Sequence, residues 1–133
     1  MTMFSYTTTE LPLSALIDLT QIVGIKPNAA GDRLVVQLEN ARGLLLPFDI
    51  GARDALIAAW SETCAVFAYK FADADRDDAV ITLAWMRVDK VKAVVQHHLD
   101  PLYLQVRTTS PRALILRFNA SAVRELRATV CAV

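Results

Sequence analysis

Two stretches of the chain carry the same alternation of apolar and polar residues in front of a helix-forming segment. They read LLLPFDIGARDALIAAW at 44–60 and LILRFNASAVRELRATV at 114–130. In both, every second residue of the opening five is large and apolar, which predicts a strand. Asp49 in the first stretch and Asn119 in the second are favoured helix N-cap residues. Each stretch is therefore predicted to be a strand that leads into a helix.

The correspondence extends toward the N-terminal side of both stretches. LVVQL at 34–38 matches LYLQV at 102–106, and LTQIVGI at 19–25 matches VDKVKAV at 88–94. The offset changes only between segments, where turns tolerate insertions. The pattern predicts an α+β fold of two tandem related units, each with three to four mostly antiparallel strands followed by one helix packed on the sheet.

The predicted boundaries follow from the same alternation. The first unit has strands at about 4–9, 16–26, 33–39 and 43–49 and a helix at about 51–71, and the second has strands at about 79–87, 88–97, 102–108 and 113–119 and a helix at about 121–131. Stretch 16–26 is one long bent strand or two short ones, and part of it also has helical spacing. We predict a single domain, 1–133, whose units at about 1–72 and 79–133 are joined by the acidic turn 73–78.

Alternation also assigns the two faces of each predicted sheet. The predicted core-facing residues are Leu34, Val36, Leu38, Leu44, Leu46 and Phe48 in the first unit, and Leu102, Leu104, Val106, Leu114, Leu116 and Phe118 in the second. The opposite face of the first unit is apolar at Val35, Leu45 and Pro47. A strand with two apolar faces is usually covered on both. Another element or another chain is therefore predicted to cover this side of the first unit.

The predicted first helix carries an apolar stripe that ends in two aromatic residues, Phe67 and Phe71. The helix would be longer than one small sheet requires, so its far end is a second apolar surface. Together these features favour a non-enzymatic protein-interaction module, a homodimer, whose surface consists of Val35, Leu45, Pro47, Phe67 and Phe71.

An alternative function rests on the outer face of the second unit. Tyr103, Arg107 and Arg117 lie on that face, and Arg112 lies near its turn. An aromatic ring that stacks on a base, with arginines that bind phosphates, is typical of single-stranded nucleic-acid binding. Net charge is zero over the whole chain, but residues 79–133 contain eight basic and three acidic residues.

Two family resemblances accompany these patterns. The order of two strand-then-helix units resembles that of the PUR repeat proteins, which bind single-stranded nucleic acid, and LPFDIGARDAL at 46–56 is similar to their last strand and helix. LIDLTQIVGI at 16–25, with the segments after it, resembles the closing half of small bacterial pleckstrin-like modules, which bind partners or lipids. The PUR pattern has exposed aromatic and basic residues on each repeat, and the first unit lacks them on its outer face. No site residue is therefore carried over from either family.

Composition limits the remaining classes of function. The chain is 54% hydrophobic, yet no apolar run approaches the roughly 18 residues of a membrane span, and the N-terminal stretch has no signal-peptide pattern. These features predict a cytoplasmic protein without a membrane span. Its two cysteines, Cys64 and Cys131, are too few for a disulfide framework.

The sequence offers few groups for catalysis or metal binding. The two histidines, His97 and His98, are adjacent and would point to opposite faces of a strand, and His98 with Asp100 supplies two ligands where zinc needs three or four. The DADRDD segment at 73–78 lacks the Gly and Glu of a calcium loop. The four glycines form no phosphate-binding loop. We therefore predict no metal, no cofactor and no enzymatic activity.

Overall fold

The computed structural model describes residues 2–73 and 79–132, and within them the alternating segments form strands. The ten strands and two helices of this part of the chain are β1 (Met3–Tyr6), β2 (Ala15–Asp18), β3 (Ile22–Pro27), β4 (Arg33–Leu38), β5 (Ala41–Pro47), α1 (Ile50–Ser61), β6 (Val66–Asp73), β7 (Ala79–Arg87), β8 (Val91–Gln96), β9 (Tyr103–Thr108), β10 (Leu114–Arg117) and α2 (Ala120–Cys131). The predicted α+β class with mostly antiparallel strands is confirmed.

The described strands form three sheets. A two-stranded sheet contains β1 and β2, a five-stranded sheet has the order β5-β4-β3-β7-β6, and a three-stranded sheet has the order β10-β9-β8. Neighbouring strands are antiparallel throughout. The pairing of β3 with β7 joins the two halves of the chain in one sheet.

Each side of the five-stranded sheet has its own hydrophobic core. The first core lies under α1 and includes Ile25, Leu34 and Trp60. The second core includes Met86 and Leu114 and lies under α2.

Gly24 marks the point where the three-stranded sheet rests on the five-stranded one. It alternates with Ile25 along β3, so it points away from the first core, and its strand partners are Gln37 and Met86. A Cβ atom at Gly24 would lie 3.3 Å from Cδ1 of Leu114. The inner face of the three-stranded sheet therefore packs against the side of the five-stranded sheet that faces away from α1.

A tyrosine hydroxyl secures the chain in front of each helix. Tyr6 donates to the Pro47 carbonyl at 2.7 Å, and Tyr69 donates to the Arg117 carbonyl at 2.9 Å while accepting from the Asn119 N–H at 3.0 Å. Burial raises the pKa of both tyrosines. Both predicted N-caps are confirmed, because the side chain of Asp49 accepts from the Ala52 N–H and that of Asn119 accepts from the N–H groups of the first helical turn.

The two tyrosines are expected to differ in their contribution to stability. Tyr69→Phe removes two hydrogen bonds and should lower the free energy of unfolding by about 1–3 kcal/mol, whereas Tyr6→Phe removes the bond to Pro47 and a weaker contact with the Asp49 backbone and should cost about 1 kcal/mol. Urea unfolding of both variants and of the parent protein, followed by circular dichroism, measures the difference. Equal losses in the two variants would show that the second bond of Tyr69 contributes nothing.

The helix predicted at about 51–71 is wrong in its second half. Helix α1 ends at Ser61, and Phe67 and Phe71 lie on strand β6, which pairs with β7. The residues from Val66 to Phe71 are mostly β-branched or aromatic and alternate between the faces of a sheet: Tyr69 is buried and Lys70 is exposed. Apolar residues at helical spacing continue from α1 into β6, so the two-residue alternation of β6 could not be recognised in the sequence.

Other sequence predictions also need correction. Leu102, predicted to be in the core, is 62% exposed, because it lies in the turn before β9, where its N–H donates to the Asp100 carboxylate. Stretch 16–26 is two short strands separated by a 3-10 turn at Leu19–Gln21. Within the predicted unit bounds, the first unit, about 1–72, contains six strands, β1 to β6, and the second, 79–133, contains four, β7 to β10, where three to four were predicted for each. The predicted acidic turn 73–78, except for the backbone of Asp73, lies outside the described residues.

Candidate nucleic-acid interface

The side of the three-stranded sheet that faces away from the second core has an aromatic and basic surface. Its outward positions, here called the outer face, are Ala93, Val95 and His97 on or next to β8, Tyr103, Gln105 and Arg107 on β9, and Ile115 and Arg117 on β10. Directly opposed residues of antiparallel strands share a face, so the strand register alone defines this set. None of these residues is acidic.

Tyr103 lies at the centre of one row of the outer face. Arg117 is its direct partner on β10, and the His97 N–H donates to the Tyr103 carbonyl at 2.9 Å on the other side. The Tyr103 side chain is partly open to solvent, with 38% of the residue exposed. The row thus presents an aromatic ring between a histidine and an arginine.

Arg117 is held by an aromatic neighbour. Its guanidinium carbon lies 5.5 Å from the centroid of the Phe71 ring on β6. A cation–π contact of this kind orients the guanidinium without neutralising its charge. Phe71, predicted to bind a protein partner, instead supports the arginine at the end of the row.

Two further cations extend the positive charge. Arg107 is exposed, and its direct partner on β8 is Ala93, whose side chain is too small to cover it. Lys26, on strand β3 of the five-stranded sheet, donates from Nζ to the Ile115 carbonyl at 3.1 Å. Burial lowers the pKa of Lys26. The lysine therefore places its ammonium group beside β10, at the border of the outer face.

The two histidines lie at the turn after β8. Their rings stack with centroids 5.6 Å apart, and Nδ1 of His97 accepts from the Leu99 N–H. His98 is exposed, and Asp100 is occupied as acceptor for Leu102. Within residues 2–73 and 79–132, no group of three or more His, Cys, Asp or Glu side chains could hold a metal ion.

The structure separates the residues of the predicted protein-interaction surface. Val35 and Leu45 are direct partners on one face of the five-stranded sheet, and Pro47 lies on the same face opposite Arg33. Phe67 packs against the second core and Phe71 contacts Arg117, both on the far strand β6. The five residues therefore do not form one continuous surface.

Arg112 lies away from the row of Tyr103. It is exposed on the turn between β9 and β10 and lines an open groove of about 670 Å³ together with Arg42, Val35 and Leu45. The structure thus brings one residue of the predicted nucleic-acid face next to two residues of the predicted apolar surface. The sequence patterns assigned Lys26 and Arg42 to no site and suggested His97 only as a possible metal ligand; their places follow from the Lys26–Ile115 bond, the lining of the groove and the His97–Tyr103 bond.

No protein-family model matches this chain, and no curated protein matches it in sequence. Among solved structures, the fold is similar to the LytTr DNA-binding domain of a protein described as a methyl-accepting/DNA response regulator from Bacillus cereus. The TM-score is 0.50, the sequence identity is 8%, and the match covers 96% of this chain and 95% of the other. This likeness shows the fold.

The comparison corrects the principal functional hypothesis. A homodimeric protein-interaction module was predicted, but the similar fold is that of a DNA-binding domain, and the residues assigned to the interaction surface are dispersed. The hypothesis is therefore wrong.

In the described part of the chain, no helix is long and apolar enough to span a membrane.

Proposed function

We propose that this protein binds DNA through the outer face of its three-stranded sheet. The observation that carries the proposal is a sheet face without a carboxylate, on which Tyr103 lies between His97 and Arg117 and Arg107 stands exposed. Positive charge that is not neutralised on the protein attracts phosphates, and an exposed ring offers a surface for a base. The fold, which is similar to that of a DNA-binding domain, supports the same function.

The shape of the outer face favours single-stranded DNA. A B-DNA major groove admits a helix or a two-stranded ribbon. Three strands about 4.8 Å apart, with their side chains, form a surface too broad to enter that groove. A flat face with an aromatic ring instead suits an open strand whose bases stack on the protein.

Each group has a distinct role in this proposal. Arg107 lies four residues along β9 from Tyr103, about 13 Å at the usual rise of a strand, so the face spans more than one nucleotide. Arg107, Arg117 and Lys26 bind phosphates, and Tyr103 stacks on a base. The Tyr69 hydroxyl bonded to the Arg117 carbonyl fixes the backbone of β10 under this row.

Stacking on Tyr103 predicts a specific pattern of variants. Tyr103→Leu should weaken binding of a fluorescein-labelled oligothymidine about 5–150-fold, the equivalent of about 1–3 kcal/mol, while Tyr103→Phe should keep most of the affinity. Neither change alters charge, so the salt dependence of binding should stay the same in both. Fluorescence anisotropy at several salt concentrations measures affinity and slope together.

The same experiment with a duplex of equal length tests the form of the DNA. We expect weaker binding of the duplex and no effect of Tyr103→Leu on it. Equal affinity for duplex and single strand, with Tyr103→Leu neutral on both, would contradict the stacking role. Failure to bind either DNA at low salt would overturn the proposed function.

We further propose that the two halves of the chain are related units. The first, β1 to α1, and the second, β6 to α2, each contain five strands followed by a helix. In both, a tyrosine hydroxyl donates to the carbonyl two residues before the helix N-cap. A DNA-binding role also fits the predicted cytoplasmic location.

A further inference from the structure

We propose that the groove between Arg42 and Arg112 binds a small organic anion with an apolar body. The groove, here called the Arg42–Arg112 groove, has a volume of about 670 Å³. Its lining residues are Val35, Gln37, residues 40–45 and residues 110–112. This volume lies within the usual range for small-molecule sites. The site is distinct from the outer face and does not depend on DNA binding.

The charge of the groove selects for an anion. Arg42 lies on β5 and Arg112 on the turn between β9 and β10, so the two cations come from separate segments that border the same groove. Both are exposed, and neither forms an ion pair with another described residue. None of the lining residues is acidic. Two unneutralised guanidinium groups facing one space favour a carboxylate, sulfonate or phosphate.

The floor of the groove requires that the anion also carry apolar surface. Val35 and Leu45 form a direct pair on the floor, and Leu45 is 63% exposed. Burial of such a side chain by a ligand removes apolar area from water, which a bare inorganic ion cannot do. An apolar body with one acidic group therefore matches both parts of the site.

Gln37 adds an uncommitted polar group. It lines the groove, only 5% of it is exposed, and its Oε1 has no hydrogen-bond partner among the described residues. Buried side-chain amides are nearly always hydrogen-bonded. Its Oε1 lies toward Gly24, 3.2 Å from the place that a Cβ atom of that residue would take, so a polar group on the ligand engages the amide only after the side chain rotates toward the groove.

The backbone on the two sides of the groove is tied together by a hydrogen bond. The Asn40 N–H donates to the Thr109 carbonyl at 2.9 Å and ties the β4–β5 turn to the β9–β10 turn. Gly43 sits in a bulge where a Cβ atom would lie 2.8 Å from the Val36 carbonyl oxygen, so no side chain fits there. A preformed site loses little conformational entropy on binding.

A pair of fluorescent probes tests this inference. The aromatic anion 8-anilinonaphthalene-1-sulfonate should bind the full chain at one site, and the neutral N-phenyl-1-naphthylamine, which lacks the sulfonate, should bind about tenfold more weakly or worse. Arg42→Ala/Arg112→Ala should lower the affinity for the sulfonate about tenfold or more and leave the neutral probe unaffected. Leu45→Ser should weaken both probes.

The control is Arg124→Ala/Arg127→Ala, which makes the same charge change on α2 and should leave both probes unaffected. Circular dichroism melts confirm that each variant is folded. Equal binding of the sulfonate to the parent and to Arg42→Ala/Arg112→Ala would overturn the inference, as would equal loss in the control. Arg107→Ala/Arg117→Ala should keep sulfonate binding, so that failure of the DNA proposal and failure of this one are distinguishable.

Discussion

The double variant Arg107→Ala/Arg117→Ala is expected to bind single-stranded oligothymidine about 30–150-fold more weakly than the parent protein at low salt. Each arginine contributes a charge-assisted contact to a phosphate, worth about 1–1.5 kcal/mol on an exposed surface. The slope of log affinity against log salt should fall in magnitude by about 1.4, because two phosphate contacts are lost and each contributes about 0.7 on a single strand. Fluorescence anisotropy titrations between about 20 and 200 mM salt give both quantities.

The matched control again changes two arginines on α2. Arg124 and Arg127 are exposed there, and α2 packs through Ala122 and Leu126 on the second core, on the inner side of the sheet. Arg124→Ala/Arg127→Ala has the same net charge as the test variant and should bind nearly as tightly as the parent. Equal losses in the two variants would show that net charge, and not the outer face, determines binding.

Leu114→Ala is expected to be the most destabilising single change near this surface. Leu114 is fully buried, belongs to the second core, and lies in van der Waals reach of Gly24 where the two sheets meet. Removing three side-chain carbons there leaves a cavity between the sheets and should lower the free energy of unfolding by about 2–5 kcal/mol. Urea unfolding followed by tryptophan fluorescence and circular dichroism measures the loss.

The neighbouring residue provides the control for Leu114. Ile115 is exposed on the outer face, so Ile115→Ala should cost less than about 1 kcal/mol. A comparable loss for both substitutions would contradict the strand register that defines the outer face. Ile115→Ala should also leave the salt dependence of DNA binding unchanged, because it removes no charge.

Local alternation was sufficient to predict which residues of β9 and β10 face outward. LYLQV and LILRF have one apolar residue at every second position, so one face must be buried, and a shift of one residue would expose all of them. Leu104, Val106, Leu114 and Leu116 are buried, and Tyr103, Arg107 and Arg117 are exposed, as predicted. The exception, Leu102, lies beyond the end of the strand, where alternation no longer holds.

Contacts between distant segments could not be predicted from local patterns. The pairing of β3 with β7 and the packing of Leu114 on Gly24 join residues about 60 and 90 positions apart, and no local period encodes them. The same holds for Lys26 beside Ile115 and for Arg42 and Arg112 at one groove. These contacts decide where the cations gather, which is why local patterns predicted only some residues of the candidate site.

The junction after α1 illustrates a different limit. Apolar residues from Leu56 to Phe71 satisfy a helical stripe, while those from Val66 onward also satisfy a strand. The structure resolves the ambiguity through the pairing of β6 with β7, which supplies hydrogen bonds along the whole of β6. Tertiary pairing therefore overrode a pattern that was consistent with both structures.

An NMR titration of the uniformly ¹⁵N-labelled protein with oligothymidine at low salt tests the central claim most directly. Binding at the outer face predicts that the largest amide shift changes map to residues 93–97, 103–107 and 115–117, and that they vanish as salt is raised. Shift changes confined to α1 and α2, or none at saturating oligonucleotide, would contradict it.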